Sequence, residues 1–130
     1  MRRLIIVVSL LIATMMSTTG ASAQTNAKPF VVPELTQWNG AEGTMALSGR
    51  VVVSNKKLTK TAQDLCRDYQ LETGKPMTVV QGKPGKGDIV LEIKQDKKLG
   101  KEGYRLNISE TCSLTAASTD GAFWGTRTLL

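Results

Sequence analysis

Histidine is missing from all 130 residues. Without an imidazole the chain has no Ser-His or Cys-His pair for nucleophilic work and no His ligand for a metal, and no cofactor or metal is expected. Aromatic residues are scarce, two each of Trp, Tyr and Phe. None falls inside the lysine clusters at 56–60, 83–86 and 94–101. A stacking platform between basic groups is therefore lacking, and nucleic acid is not an expected partner. Cys66 and Cys112 are the only cysteines. No apolar run reaches the ~20 residues of a membrane span.

The longest apolar run is Leu4–Met16, 13 residues interrupted only by Ser9 and Thr14. Arg2 and Arg3 precede it, and Ala21-Ser22-Ala23 follows with the small side chains that a signal peptidase accepts. This is the layout of a secretory signal over residues 1–23. A secreted or periplasmic location is expected, with no membrane attachment after cleavage. The short, simple signal points to a bacterial source. Residues 24–130 then carry 15 basic and 11 acidic residues, a net charge of +4, and suffice for one core.

Residues 24–30 are expected to be a linker, and 31–119 a small α/β domain. Val31-Val32-Pro33 predicts extended chain, and residues 34–49 predict short strand fragments broken at Asn39-Gly40 and Glu42-Gly43. Arg50–Ser54, β-branched at its centre, predicts a buried strand. Leu58, Ala62, Leu65 and Tyr69 recur at helical spacing and predict a helix over Lys57–Leu71, with Thr59 or Thr61 as its cap and Gly74 as its stop. Met77–Val80 predicts a strand. Three further strands alternate apolar and polar residues: 88–94, 104–109 and 111–116. Short connections between them predict an antiparallel sheet with one wet face. The fold class expected is α+β, an antiparallel sheet with one or two helices packed on one face. Asp120 opens a second helical stretch, with Ala122, Thr126 and Leu129 on one face and Phe123, Arg127 and Leu130 on the next. The sequence stops in mid-pattern at Leu130, as if cut inside a helix.

Candidates for chemistry are few. The stretch Gly82–Gly87 has the glycines of a phosphate loop but no Ser or Thr after Lys86 and no helix after it, so a solvated connection is expected. Asp64 and Asp68 share the polar side of the first helix, screened by Lys60 and Arg67. Asn107-Ile108-Ser109 matches a glycosylation acceptor, a pattern common by chance. Cys66 and Cys112 both lie on apolar faces. They are either bridged, which an oxidising compartment permits, or two buried thiols. No catalytic residue is expected.

The stretch Gly121-Ala122-Phe123-Trp124-Gly125 with Thr128-Leu129-Leu130, preceded by Gly103-Tyr104-Arg105-Leu106, resembles the join between the small N-terminal domain and the catalytic barrel of glycoside hydrolase family 20, the β-N-acetylhexosaminidases. The resemblance covers roughly residues 30–130. It implies an accessory domain that supports a barrel, with residues 120–130 beginning the helix that leads to it. That enzyme would remove terminal N-acetylhexosamine from glycans, the substrate's own acetamido group attacking with help from an Asp-Glu pair. Such a pair belongs to the barrel, which needs ~250 residues. No catalytic position of the family can be carried onto this sequence, and Arg127 does not stand for the family's substrate-binding arginine. The expected partner is the barrel of the same polypeptide, and glycan is met only through it. Gly121 is expected to make a tight strand-to-helix turn and Gly125 to let the helix approach the sheet. Of Phe123 and Trp124, at least one is expected to fill the domain's own core, and the other, with Leu129 or Leu130, to face a neighbouring domain. The alternative is a free-standing secreted module that binds a glycan or a protein.

Overall fold

A computed structural model describes residues 25–130. The signal segment, residues 1–23, lies outside the described residues. Five strands and two helices follow in the order β1 (Arg50–Val53), α1 (Thr59–Thr73), β2 (Thr78–Val80), β3 (Ile89–Ile93), β4 (Tyr104–Ile108), β5 (Cys112–Ala116) and α2 (Thr119–Thr128). A 3₁₀ turn, Lys56–Leu58, leads into α1.

Side-chain chemistry explains where these elements begin and end. Val51, Val52 and Val53 are all buried, as expected of a strand with parallel neighbours and both faces covered. The helical entry is capped by Asn55, whose side-chain oxygen accepts from the Lys57 N–H at 2.9 Å. The expected caps are thus displaced: Thr59 already lies in the helix, and Thr61 is buried within it. Gly74 ends α1 at φ 72°, a left-handed turn that glycine makes without a Cβ penalty. Leu58, Ala62 and Leu65 are fully buried on the predicted face. Burying a leucine side chain stabilises the fold by roughly 1.5–3 kcal/mol.

The sheet order is β2-β1-β3-β5-β4. Its pairing corrects the antiparallel expectation. β1 runs parallel to β2 and β3, and β3 runs parallel to β5. Only β4 and β5 are antiparallel. The reason lies in residues 94–103. This connection is long enough to carry β4 one strand further out, at ~4.8 Å per strand, leaving a slot beside β3. The more apolar strand takes the slot. Cys112, Leu114 and Ala116 of β5 are at most 2% exposed, whereas Ile108 of the edge strand β4 is 54% exposed. The expected one-sided alternation also fails in β3, where consecutive Ile89, Val90 and Leu91 are all buried.

The two helices pack on one face, as expected. Val51, Val53, Ile89, Leu91, Cys112, Leu114 and Ala116 from the sheet meet Leu58, Ala62, Leu65 and Ala122 in a single core. Residues 34–49 form no strand, contrary to expectation. Gly43 and Gly49 turn at φ 83° and 86°, and the segment is tied by isolated bonds instead: the Asn26 side chain donates to the Gly43 carbonyl at 2.8 Å, and the Ser48 N–H to that of Gly87 at 2.8 Å. Residues 25–30 are irregular and exposed, yet Asn26 anchors them to this segment.

Candidate interdomain face

The helix α2 has two unlike sides. Ser118 caps it, accepting from the Gly121 N–H at 3.2 Å and donating to the Lys101 carbonyl. The side toward the sheet is made of Gly121, Ala122, Gly125 and Thr126, all buried. A Cβ on Gly125 would stand 2.5 Å from Leu114 Cδ1, and one on Gly121 would overlap the Gly103 carbonyl. Both glycines therefore serve close approach. Gly121 lies inside the helix rather than making the strand-to-helix turn that was expected of it.

The other side carries the large residues. Phe123 is 39% and Trp124 40% exposed. The two rings meet edge to face, centroids 5.4 Å apart. Neither fills the domain's own core, contrary to the expectation for at least one of them. The Arg127 guanidinium lies 5.1 Å from the Phe123 ring centroid, a cation–π distance. It also donates to Asp68 of α1 at 2.6 Å, so the aromatic pair is backed by an ion pair between the helices. That pair holds the Asp68 carboxyl below its ordinary range, with Arg67 contributing. One guanidinium nitrogen, Arg127 Nη2, is buried with no partner among the described residues. Tyr104 and Thr128 share a hydroxyl–hydroxyl bond of 2.5 Å that ties the end of α2 to β4. Leu130 is 45% exposed. Leu129 turns inward against the core. It lines an open, mainly apolar cleft of about 340 Å³ with Met45, Leu65, Tyr69, Ile89 and Cys112.

Two further carboxylates, Asp64 and Asp88, are tied to their surroundings. Asp64 is held by Lys60 and Arg67, both at 2.9 Å. Asp88 is only 1% exposed and went unnoticed in the sequence, where it reads as the polar start of a strand. Ser48 Oγ donates to it at 2.6 Å and the Gly85 N–H at 2.8 Å, with Arg50 at 3.5 Å. The Ser48 hydroxyl, then the Gly85 amide, hold its carboxyl below the ordinary range against the opposing effect of burial. The Gly82–Gly87 connection, read as solvated, is exposed except for Gly87, and its Gly85 amide serves Asp88. Asn107 is exposed on β4. Cys66 is half-buried and Cys112 buried, both as free thiols, and burial pushes the Cys112 thiol up to about 11. Among the described residues no group of three metal-ligating side chains gathers.

Asp64, Asp68 and Asp88 are thus held by cations or a hydroxyl, and burial raises both thiols. What this surface offers is a rigid aromatic patch on a helix. Residues 28–130 match the family described as glycosyl hydrolase family 20, domain 2. No curated protein matches the chain.

Proposed function

The chain belongs to glycosyl hydrolase family 20, as that family's domain 2, and we propose on that premise that it is the accessory domain of an exported bacterial β-N-acetylhexosaminidase. Its role is to brace the catalytic barrel of the same polypeptide, and the cleavage of terminal N-acetylhexosamine belongs to that barrel. The observation that carries this reading is the division of α2. Glycine and alanine occupy its inner side, and the edge-to-face Phe123–Trp124 pair stands outside, 39% and 40% exposed. Aromatic side chains bury 150–250 Å² each and are the commonest anchors where two folded surfaces meet. Arg127 and Asp68 hold the pair's base in place before docking, which lowers the ordering cost of association.

The purified chain should not release chromophore from a chromogenic N-acetylglucosaminide. Measurable turnover by the chain alone would overturn this division of labour.

The reading as a free-standing glycan-binding module rests on the same exposed tryptophans. Trp38 is 39% exposed, but its indole N–H is bonded to the Asn26 carbonyl at 3.3 Å. Tryptophan fluorescence should stay flat when chitin oligosaccharides are added. A saturable shift would favour the binding module.

A further inference from the structure

Parallel strands have a chemical consequence for the loops that follow them. β1, β3 and β5 share one direction with β2, so every segment that leaves one of them emerges at the same end of the sheet. β4 runs the other way and starts at that end. The sequence scatters its lysines in separate clusters, and this topology gathers most of them. Lys56, Lys57 and Lys60 follow β1, and Lys94, Lys97, Lys98 and Lys101 follow β3, all exposed. Lys83 leaves β2 just past Gln81 and Gly82, which line a crevice shared with Asn55 and Lys56. Asp96, Glu102 and Asp120 lie among these segments as counter-charges, and Asp64 of α1 and Glu92 of β3 reach them from the neighbouring elements. Lys60, Lys94 and Lys101 are engaged with Asp64, Glu92 and Asp120. Lys56, Lys57, Lys83, Lys97 and Lys98 make no ion pair among the described residues. The opposite end is balanced by contrast, with Glu42, Glu72, Asp88 and Glu110 against Arg50, Lys75 and Lys86. Both helices begin at the lysine end, so their N-terminal dipoles add to its positive field.

We infer that this lysine-rich end is a contact surface for an anionic glycan, a polysaccharide bearing carboxylate or phosphate groups. The chemistry narrows the partner. Stable anchoring to a membrane would call for an apolar group beside the cations, and the large exposed apolar side chains lie outside residues 54–60, 81–83 and 94–103. A single-stranded nucleic acid would call for stacking side chains between the cations, and these segments hold no aromatic residue. Lysine ammoniums are point charges that suit charges spaced along a chain, without the bidentate geometry that arginine brings to a single phosphate. The choice of a glycan among polyanions rests on the reading proposed above. The test uses this chain alone, so failure of the barrel-docking reading would leave its result readable.

The experiment measures binding of polygalacturonate to the purified chain by affinity electrophoresis. A variant carrying Lys56→Gln, Lys57→Gln, Lys97→Gln and Lys98→Gln is compared with one carrying Lys28→Gln, Lys75→Gln and Lys86→Gln. Circular dichroism establishes that each is folded. The unaltered chain should bind, and binding should weaken ~10-fold or more as salt rises from about 50 to about 200 mM. The first variant should lose binding and the second keep it. Equal retention in both variants, or no retardation at the lower salt, would overturn the proposal. Equal retardation by a neutral chitin oligosaccharide would remove its electrostatic basis, and tighter binding to single-stranded DNA would overturn the choice of a glycan.

Discussion

Gly125 shows how one missing atom sets the spacing of two layers. Its α-carbon faces the Leu114 side chain, which is fully buried and has nowhere to retreat. Gly125→Ala should lower stability by ~1–3 kcal/mol through overpacking, less the ~1 kcal/mol that alanine gains over glycine in a helix. Gly121→Ala should be worse, because its obstacle is the backbone carbonyl of Gly103, which yields less than a side chain. Urea midpoints of the two variants give the order directly. Equal midpoints would show that the helix does not sit where the glycines put it. Asp88 makes the second residue-scale prediction. Its carboxyl is held below the ordinary value near 3.8, so its contribution is full above that value and is lost as the pH falls through the lower, folded-state value. Asp88→Asn should flatten that acid limb of the stability curve. Ser48→Ala should cost ~1–3 kcal/mol by depriving a buried acceptor of its closest donor. Neither residue was legible beforehand. Ser48 is 40 positions from Asp88, and no periodicity connects a loop hydroxyl with the residue that precedes a strand.

At the scale of elements, α1 was legible because its apolar spacing and its terminal glycine are local signals. The three C-terminal strands were located nearly as well, but their pairing was not. Alternation tells which way side chains point and says nothing about which strand is the neighbour. Here the deciding quantities were the length of the 94–103 connection and the greater apolarity of β5 over β4, compared across the whole sheet. The same limit applies to α2. At least one of Phe123 and Trp124 reads as a core residue in the sequence, and only the small side chains at Gly121, Ala122 and Gly125 turn both outward. Replacing both aromatics with serine should therefore leave the thermal midpoint nearly unchanged, whereas Leu114→Ala should cost ~2–5 kcal/mol. A large loss from the aromatic variant would place those rings in the domain's own core. The cysteines give a parallel check. Native chain treated with an aromatic disulfide reagent should leave Cys112 unreacted while Cys66 reacts slowly, since burial raises both thiols and Cys112 to about 11, and denaturant should release two thiols. No thiol in denaturant would mean that Cys66 and Cys112 are bridged.

The whole molecule is organised by direction. Parallel strands send lysine-bearing loops to one end, and the helices that return from β1 and β5 lie together on one face with the aromatic pair on their outer side. The family was legible in the sequence through a resemblance in the Gly121–Gly125 motif, whose two glycines pack against Gly103 and Leu114. The gathering of the lysines was not, because it depends on strand direction. The central claim is that this domain works as the brace of a catalytic barrel in one polypeptide. The most direct measurement is the mass of the native product from the source cells, by immunoblot with an antibody raised to residues 24–130. The account predicts a band heavier than the domain by ~27 kDa or more, the size of an added barrel of ~250 residues. A single band at the size of the domain alone would contradict it.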